Sequence, residues 1–283
     1  MTCLLNSLFG SLFAEKTMAP PPWKKPQAPK SIIKKGVFYP PLAHGALAKI
    51  PIQDNGEPMV SLLELENPRL LRMNQIDPSH QHTCPKHHFV RQGVKDALLR
   101  MLDTLPNDIG IAYDEGFRPL GLQKQYFDAK FKEFLKPLAG KPNAAQNAYK
   151  KACLFVSPFI DNTPTHCTGA AIDMRLFQVS TGQYLDMGFF DCIYGHQEGF
   201  ETFSPHTTPI QRENRLIMLD AATKAGLVNY GFEWWHYSYG DRAWAYVHKK
   251  PYALYDLAMN QDPAPYEITK EQYLKVMADQ ADH

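Results

Sequence analysis

The sequence lacks several features that would assign it to a specialised class of protein. Only five of its 283 residues are cysteines, and no two of them form a Cys-x-x-Cys pair. This pattern indicates neither a disulfide framework nor a thiolate zinc site, so a reducing compartment, or a fold that does not need disulfides, is expected. The net charge of +1 gives no electrostatic basis for binding nucleic acid or an anionic membrane. A small or peptide ligand is the remaining expectation.

Long apolar runs are also scarce. The run from Leu4 to Ala14 has the length of a signal-peptide core, but no Lys or Arg precedes it. It is too short to cross a bilayer, and no other stretch of the sequence is long and apolar enough. The expected location therefore stays open between the cytoplasm, which is slightly favoured, and the periplasm, which would apply if residues 1–19 act as an export signal.

The chain length predicts one large domain, or one domain with extensions. Its apolar content of 44% and charged content of 21% are ordinary for a globular protein. Residues 18–58 are rich in proline, which predicts an extended arm around a domain that starts near residue 40 to 60. The expected division is an N-terminal extension over residues 1–58, a main domain over residues 59–262, and a C-terminal surface helix or tail over residues 263–283.

Helical and strand patterns are mixed without a regular βαβ order, which favours an α+β fold over a doubly wound sheet. Apolar residues at helical spacing and period-two alternation mark the individual elements. A short helix is also expected after Thr269, with Gln272 at the capping-box position. The predicted helices cover residues 90–105, 120–135 and 211–225, and the predicted strands cover residues 109–113, 170–176 and 228–239.

Two separate segments supply a set of metal-binding side chains. His166 and Asp173 lie seven residues apart, and His236 lies in the aromatic segment Phe-Glu-Trp-Trp-His-Tyr. Two imidazoles and one carboxylate form a three-ligand set for a divalent metal with an open fourth position. Each residue alone is more often structural. Together with Glu233, which is placed to act as a general base, they predict a zinc hydrolase with one zinc ion per chain.

The spacing of Glu233 and His236 imposes a structural requirement. Residues three apart in a regular strand point to opposite faces, so these two side chains cannot both face one metal from a continuous strand. The strand is therefore expected to end, bulge or turn between them. Trp234 and Trp235 are expected to pack beneath the metal rather than to contact the substrate.

Arg118 is predicted to lie at a strand-to-loop junction, because Gly116 and Pro119 end the preceding strand. Its guanidinium is a permanent cation with a forked pair of donors. Such a group can stabilise the oxyanion that forms in peptide hydrolysis. A surface salt bridge is the alternative role.

Two other groups of residues give weaker signals. Cys167 follows His166, but a cysteine hydrolase needs an oriented base, and the pattern supplies metal ligands instead. A histidine cluster has crowded spacings and no patterned carboxylate, so a solvated loop is favoured over a second metal site. This cluster consists of His80, His82, His87 and His88, together with Cys84.

Four motifs in order resemble the D-alanyl-D-alanine dipeptidase family, which includes the vancomycin-resistance dipeptidase. Residues 116–119, Gly-Phe-Arg-Pro, are similar to the family's Gly-Tyr-Arg-Pro, and residues 165–173 match Ser/Thr-His-x-x-Gly-x-Ala-x-Asp. Residues 185–191 are similar to its Met-Gly-x-x-Phe-Asp segment, and residues 233–237 match Glu-Trp-Trp-His-Tyr. The resemblance covers roughly residues 68–245.

The resemblance implies an α+β zinc peptidase with a central, mostly antiparallel sheet flanked by helices, related in fold to D,D-carboxypeptidases and the hedgehog signalling domain. Asp191 would accept the free amino group of the substrate, which favours dipeptides over longer chains. Thr165 would also contact the substrate. The other roles that it implies are zinc ligation by His166, Asp173 and His236, general base and acid catalysis by Glu233, and stabilisation of the tetrahedral intermediate by Arg118.

The expected activity is zinc-dependent hydrolysis of D-alanyl-D-alanine or a related D-amino dipeptide by a bacterial enzyme. Its physiological role stays open between cell-wall recycling, antibiotic resistance and nutrient use. One alternative is a peptidoglycan D,D- or L,D-carboxypeptidase or endopeptidase, in which Asp191 contacts something other than an amine. Another is a non-catalytic, zinc-stabilised binding module, although Glu233 and Arg118 argue against it. Cys167 and Thr168 replace a more polar or basic pair, and Phe117 replaces a common Tyr. These departures bear on the choice of substrate rather than on the reaction.

Overall fold

A central sheet of seven strands organises the chain. The computed structural model describes residues 36–38, 45–81, 86–153, 155–160, 162–190, 199–258 and 269–279. The strands are β1 (Val37–Phe38), β2 (Met59–Ser61), β3 (Leu70–Arg72), β4 (Phe89–Arg91), β5 (Ile109–Glu115), β6 (Ala171–Gln178), β7 (Gln183–Tyr184), β8 (Val228–Tyr230) and β9 (His236–Ser238).

The sheet has the order β1-β8-β9-β6-β5-β3, with β7 also paired to β6, while β2 and β4 form a separate two-stranded sheet. The pairs β1–β8 and β3–β5 are parallel. The other pairs of the central sheet are antiparallel. The predicted α+β fold with a mostly antiparallel central sheet is therefore confirmed.

The helices are α1 (Gly45–Ala48), α2 (Met73–Ile76), α3 (Gln92–Thr104), α4 (Leu120–Leu135), α5 (Ala144–Ala152), α6 (Pro209–Lys224), α7 (Arg242–Val247) and α8 (Lys270–Asp279). One apolar core joins the sheet to α3 and α6, and another joins the sheet to α1 and α7. A separate core joins α4, α5 and α8 through their aromatic side chains. None of the helices in the described ranges is long and apolar enough to span a membrane.

The predicted helices correspond to α3, α4 and α6, and the first two predicted strands correspond to β5 and β6. The third predicted strand, over residues 228–239, is interrupted. The chain forms β8 and β9 with a turn between them, because backbone N–H groups bond within the turn. Glu233 donates to the Tyr230 carbonyl at 2.8 Å, and His236 donates to the Glu233 carbonyl at 3.2 Å. The irregularity expected between Glu233 and His236 is confirmed.

Two consecutive tryptophans hold this turn in the core. The backbone N–H of Trp234 donates to the Phe200 carbonyl at 3.0 Å, and its indole N–H donates to the Phe189 carbonyl at 3.0 Å. Trp235 packs edge-on against the ring of Phe200, with ring centroids 4.8 Å apart. Both indoles are fully buried, so the expectation that they pack in the protein interior is confirmed.

The segment expected to be an N-terminal extension contributes to the folded unit. Val37 and Phe38 are buried and form the edge strand β1, in parallel register with β8. Further along, Ala253 donates a backbone hydrogen bond to the Pro51 carbonyl at 2.9 Å. The sheet therefore begins before residue 59, and the described part of the proline-rich arm packs on the domain.

The histidine cluster is only partly described, since His82 and Cys84 lie outside the described residues. His80 Nε2 lies 2.8 Å from Asp114 Oδ1, and this hydrogen bond raises the pKa of His80 above its usual value. His87 is 4% exposed. The expectation of a solvated loop is therefore wrong for His87, because the loop packs against the end of β5.

The capping box at the start of α8 is confirmed. The Thr269 N–H donates to the Gln272 side chain at 2.8 Å, and the Gln272 N–H donates to the Thr269 hydroxyl at 3.2 Å. The helix is more than a surface element, because Tyr273 is 2% exposed. The Tyr273 hydroxyl donates to Asp128 at 2.6 Å, which ties α8 to α4.

We expect Tyr273→Ala to lower the free energy of unfolding by about 3 to 5 kcal/mol, because it empties a buried aromatic site between three helices. Tyr273→Phe is the matched control, which loses only the hydrogen bond to Asp128 and should cost about 0.5 to 1.5 kcal/mol. Urea denaturation measures both variants. A loss below about 1 kcal/mol in Tyr273→Ala would show that α8 does not stabilise the domain.

Candidate active site

His166 lies in a short 3-10 helix, Thr165–Thr168, just before β6. The helix ends at Gly169, whose φ of 73° lies in the left-handed region that favours glycine. The ring Nδ1 of His166 donates to the Gly116 carbonyl at 2.7 Å. Because that bond fixes the proton on Nδ1, the lone pair of Nε2 faces the interior of the site.

Strand register brings three polar side chains side by side. Asp173 on β6 is the direct partner of His236 on β9, and on its other side it is the partner of Glu115 on β5. The β5 register shifts between Tyr113 and Glu115. This bulge brings Glu115, rather than Asp114, opposite Asp173. Since directly paired residues share a face, the three side chains point to the same side of the sheet.

The nitrogen and oxygen atoms of His166, Asp173 and His236 converge closely. Asp173 Oδ1 lies 3.0 Å from His236 Nδ1 and 3.5 Å from His166 Nε2. His166 Nε2 and His236 Nδ1 are 3.2 Å apart. In the part of the chain that the structure describes, these residues form the group that could hold a metal ion.

The donor set fits a zinc ion. Tetrahedral ligands at about 2.0 Å from zinc lie roughly 3.3 Å from one another, and the three observed separations lie on either side of that value. All three residues are buried. When both ring nitrogens are unprotonated, as zinc ligation requires, two lone pairs and a carboxylate at such short distances repel one another in a buried site, so a bound cation would stabilise the arrangement.

Asp173 is suited to be a ligand because it is ionised. Burial by itself raises the pKa of this carboxyl, but the adjacent His166 and His236 lower it more, so its pKa lies well below the usual range. Zinc prefers an ionised carboxylate and neutral imidazoles.

Glu233 lies in the turn before β9 and lines the same cavity as His166 and Asp173. Burial raises the pKa of Glu233 to about 7. The charge of Asp173 raises it further, while His236 and Arg118 lower it. A carboxyl group with a pKa near neutrality can both accept and release a proton at physiological pH.

Arg118 lies between β5 and α4, at the strand-to-loop junction that the sequence predicted. The alternative role of a surface salt bridge is wrong, because Arg118 is 8% exposed and lines the cavity. Its Nε donates to Glu115 at 2.9 Å, a second nitrogen donates to the other Glu115 oxygen, and Nη1 donates to Gln123 at 2.8 Å. The guanidinium is therefore fixed in orientation.

One cavity contains most of the predicted site residues. Thr165 also lines it, with its hydroxyl 3.4 Å from His236 Nε2. Asp191 lies outside the described residues. Cys167 is buried in the second apolar core instead. The lining consists of Arg118, Gln123, Tyr126, Ala129, Lys130, Glu133, Phe155, Val156, Ser157, Pro164, Thr165, His166, Asp173, Glu233 and His236.

The sequence patterns did not point to Glu115 and Gln123, which hold Arg118. An acidic residue three positions before a buried arginine, at the end of a strand, is the signal that could have identified Glu115. The Gly116 carbonyl that orients His166 has no signal in the sequence, because every residue carries a carbonyl and only the fold selects one.

Comparisons with known proteins identify a matching family and several relatives. A family model described as D-ala-D-ala dipeptidase matches residues 114–255. A D-alanyl-D-alanine dipeptidase of Synechocystis sp. is 28% identical over 225 residues, covering 71% of this chain and 89% of that protein. One from Escherichia coli is 33% identical over 102 residues, covering 35% of this chain and 51% of that protein. One from Enterococcus faecalis is 26% identical over 137 residues, covering 45% and 61% respectively.

Among solved structures, that of the LdcB LD-carboxypeptidase is similar at 19% identity with a TM-score of 0.38, covering 72% of this chain and 81% of that chain. The family segment, residues 114–255, spans half of the 283-residue chain. It includes Arg118, Glu233 and the three residues of the candidate metal centre. The chain therefore belongs to the D-ala-D-ala dipeptidase family and is a peptidase.

Proposed function

We propose that the chain is a zinc-dependent D,D-dipeptidase that hydrolyses D-alanyl-D-alanine or a related D-amino dipeptide. The observation that carries the proposal is the convergence of His166, Asp173 and His236 within 3.5 Å of one another, in the cavity that Glu233 and Arg118 also line. Membership of the family and the similarity to three D-alanyl-D-alanine dipeptidases support the choice of substrate.

His166, Asp173 and His236 would hold the zinc ion. When bound, zinc lowers the pKa of a coordinated water towards about 7 and polarises the substrate carbonyl. The chain prepares this chemistry in two ways. The hydrogen bond to the Gly116 carbonyl keeps His166 in the tautomer whose Nε2 is free to bind, and the low pKa of Asp173 keeps its carboxylate charged.

Glu233 is the proposed general base and general acid. It takes a proton from the attacking water as the new carbon–oxygen bond forms, and it then gives that proton to the departing amine as the carbon–nitrogen bond breaks. Its pKa of about 7, which results from burial, makes both protonation states accessible at physiological pH. One carboxyl group can therefore serve both steps in turn.

Arg118 is proposed to stabilise the negative charge that develops on the carbonyl oxygen. A cation that is already oriented needs no reorganisation when the charge appears, and Glu115 and Gln123 supply that orientation. Thr165 is proposed to contact the substrate, and Asp191 is proposed to accept its free amino group. Because Asp191 would require a free ammonium group on the substrate, the activity would be restricted to dipeptides.

We expect Glu233→Gln to retain zinc but to lower kcat by about 10²- to 10⁴-fold, because glutamine keeps the size of the side chain and cannot take the proton. Stopped-assay kinetics on D-Ala-D-Ala and metal analysis of the same preparation measure the two effects. Glu213→Gln, an exposed change on α6, is the matched control and should leave kcat unchanged. Wild-type turnover in Glu233→Gln would refute the assigned role.

Zinc content should be one ion per chain in the wild type and should fall to near zero in His236→Ala, since two remaining ligands hold zinc weakly. Elemental mass spectrometry on dialysed protein measures this. His206→Ala, at an exposed position outside the cavity lining, should keep its zinc. A wild-type protein that holds zinc but hydrolyses no peptide would favour the alternative of a non-catalytic binding module.

The free dipeptide should be cleaved with a kcat/KM at least about 100-fold above that of N-acetyl-D-Ala-D-Ala, because acetylation removes the ammonium that Asp191 is proposed to bind. Asp191→Asn should reduce this ratio towards one. A preference of the wild type for the acetylated peptide would instead indicate a peptidoglycan carboxypeptidase or endopeptidase.

A further inference from the structure

The cavity continues past the candidate metal centre along α4. Tyr126, Lys130 and Glu133 line it at spacings of four and three residues, which places them on one face of the helix. Gln123, which binds Arg118, lies seven residues before Lys130, a rise of about 10 Å along the helix axis. The cavity wall therefore extends along α4 beyond the residue that binds Arg118.

A buried cation lies along this extension. Lys130 is the one lysine among the described residues that line the cavity. Its ammonium pairs with Glu133 at 2.7 Å, but the side chains differ sharply in exposure, 10% for Lys130 and 56% for Glu133. A buried ammonium requires a counter-ion, whereas an exposed carboxylate gains little from an ion pair. Glu133 can therefore leave the pair at low cost when another carboxylate approaches Lys130.

The residues around Lys130 strengthen the pairing of its ammonium with an incoming carboxylate. Ala129, Phe155 and Val156 line the same cavity, and the Lys130 ammonium lies 5.9 Å from the centre of the Phe155 ring. A carboxylate that reaches Lys130 here is partly removed from water. Because the effective dielectric constant is lower there, the pairing is stronger than on the open surface.

We propose that Lys130 binds a carboxylate in the leaving portion of the substrate, and that Glu133 is the counter-ion that this carboxylate displaces. The inference rests on the proposed function, which makes the substrate a short peptide. Two carboxylates share the required chemistry, the C-terminal main-chain group and an acidic side chain on the C-terminal residue. In either case Lys130 is a specificity-determining residue for the C-terminal end of the substrate.

Substitutions of Lys130 and of Glu133 are expected to shift KM in opposite directions. Lys130→Met keeps the length of the stem and removes the charge, so KM for a peptide with a suitable carboxylate should rise at least about tenfold with kcat little changed. Lys130→Arg should restore much of that loss. Glu133→Gln should lower KM, because the competing counter-ion is gone. If the pair served only to stabilise the helix, both variants would change KM in the same direction or leave it unchanged.

A panel of four peptides separates the sources of the carboxylate: D-Ala-D-Ala, its C-terminal amide, D-Ala-D-Glu and D-Ala-D-Gln. If the main-chain carboxylate is bound, the effect of Lys130→Met disappears with the amide. If the side-chain carboxylate is bound, the effect appears with D-Ala-D-Glu and is absent with D-Ala-D-Gln. Lys132→Met, an exposed charge removal on the same helix, should leave all four KM values unchanged.

Calorimetry tests binding independently of turnover. The four peptides are titrated into Glu233→Gln and into Glu233→Gln combined with Lys130→Met, and Kd for at least one of them should rise about tenfold or more in the second protein. Equal Kd values for all four peptides in the two proteins overturn the role of Lys130 while leaving the proposed function intact. If binding depends on Lys130 but the wild-type protein cleaves none of the peptides, the proposed function is overturned and the role of Lys130 in binding stands.

Discussion

The register of β6 with its two neighbours is the constraint on which the rest of the site depends. Asp173 is paired with His236 on one side and with Glu115 on the other, so three polar side chains stand together on one face of a sheet whose core is otherwise apolar. A slip of one residue on either side would turn Asp173 away from a partner. The bulge in β5 and the early end of β8 are the two irregularities that produce this register.

The turn between β8 and β9 shows how packing supports chemistry. Trp234 and Trp235 are both fully buried, and the hydrogen bonds of Trp234 to Phe189 and Phe200 hold the turn in the core. This turn places Glu233 in the cavity and His236 at the first position of β9. The same packing also partly removes Glu233 from water, and this desolvation raises its pKa to about 7. The stability of the turn and the acid–base role proposed for Glu233 thus have one physical origin, which is burial.

Arg118 and Lys130 both line the cavity and both pair with a carboxylate, but the two pairs differ in how firmly the cation is held. Arg118 is held by two oxygens of Glu115 and one of Gln123, and it is buried with them, so its orientation is fixed. In the described part of the chain, the Lys130 ammonium pairs with the carboxylate of Glu133, which is largely exposed. A fixed cation suits a charge that appears at one defined point, and an exchangeable pair suits a ligand that arrives from solution.

The sequence by itself determined the helices α3, α4 and α6, the strands β5 and β6, and the capping box of α8, since each follows from local periodicity or cap chemistry. It also determined the residue types of the candidate metal centre and the break between Glu233 and His236, because residues three apart in a continuous strand cannot both face one site. Only the tertiary structure decided that Glu115 and Gln123 hold Arg118, that the Gly116 carbonyl orients His166, and that Lys130 lines the cavity. These contacts depend on strand register and burial, and local sequence patterns predict neither of them.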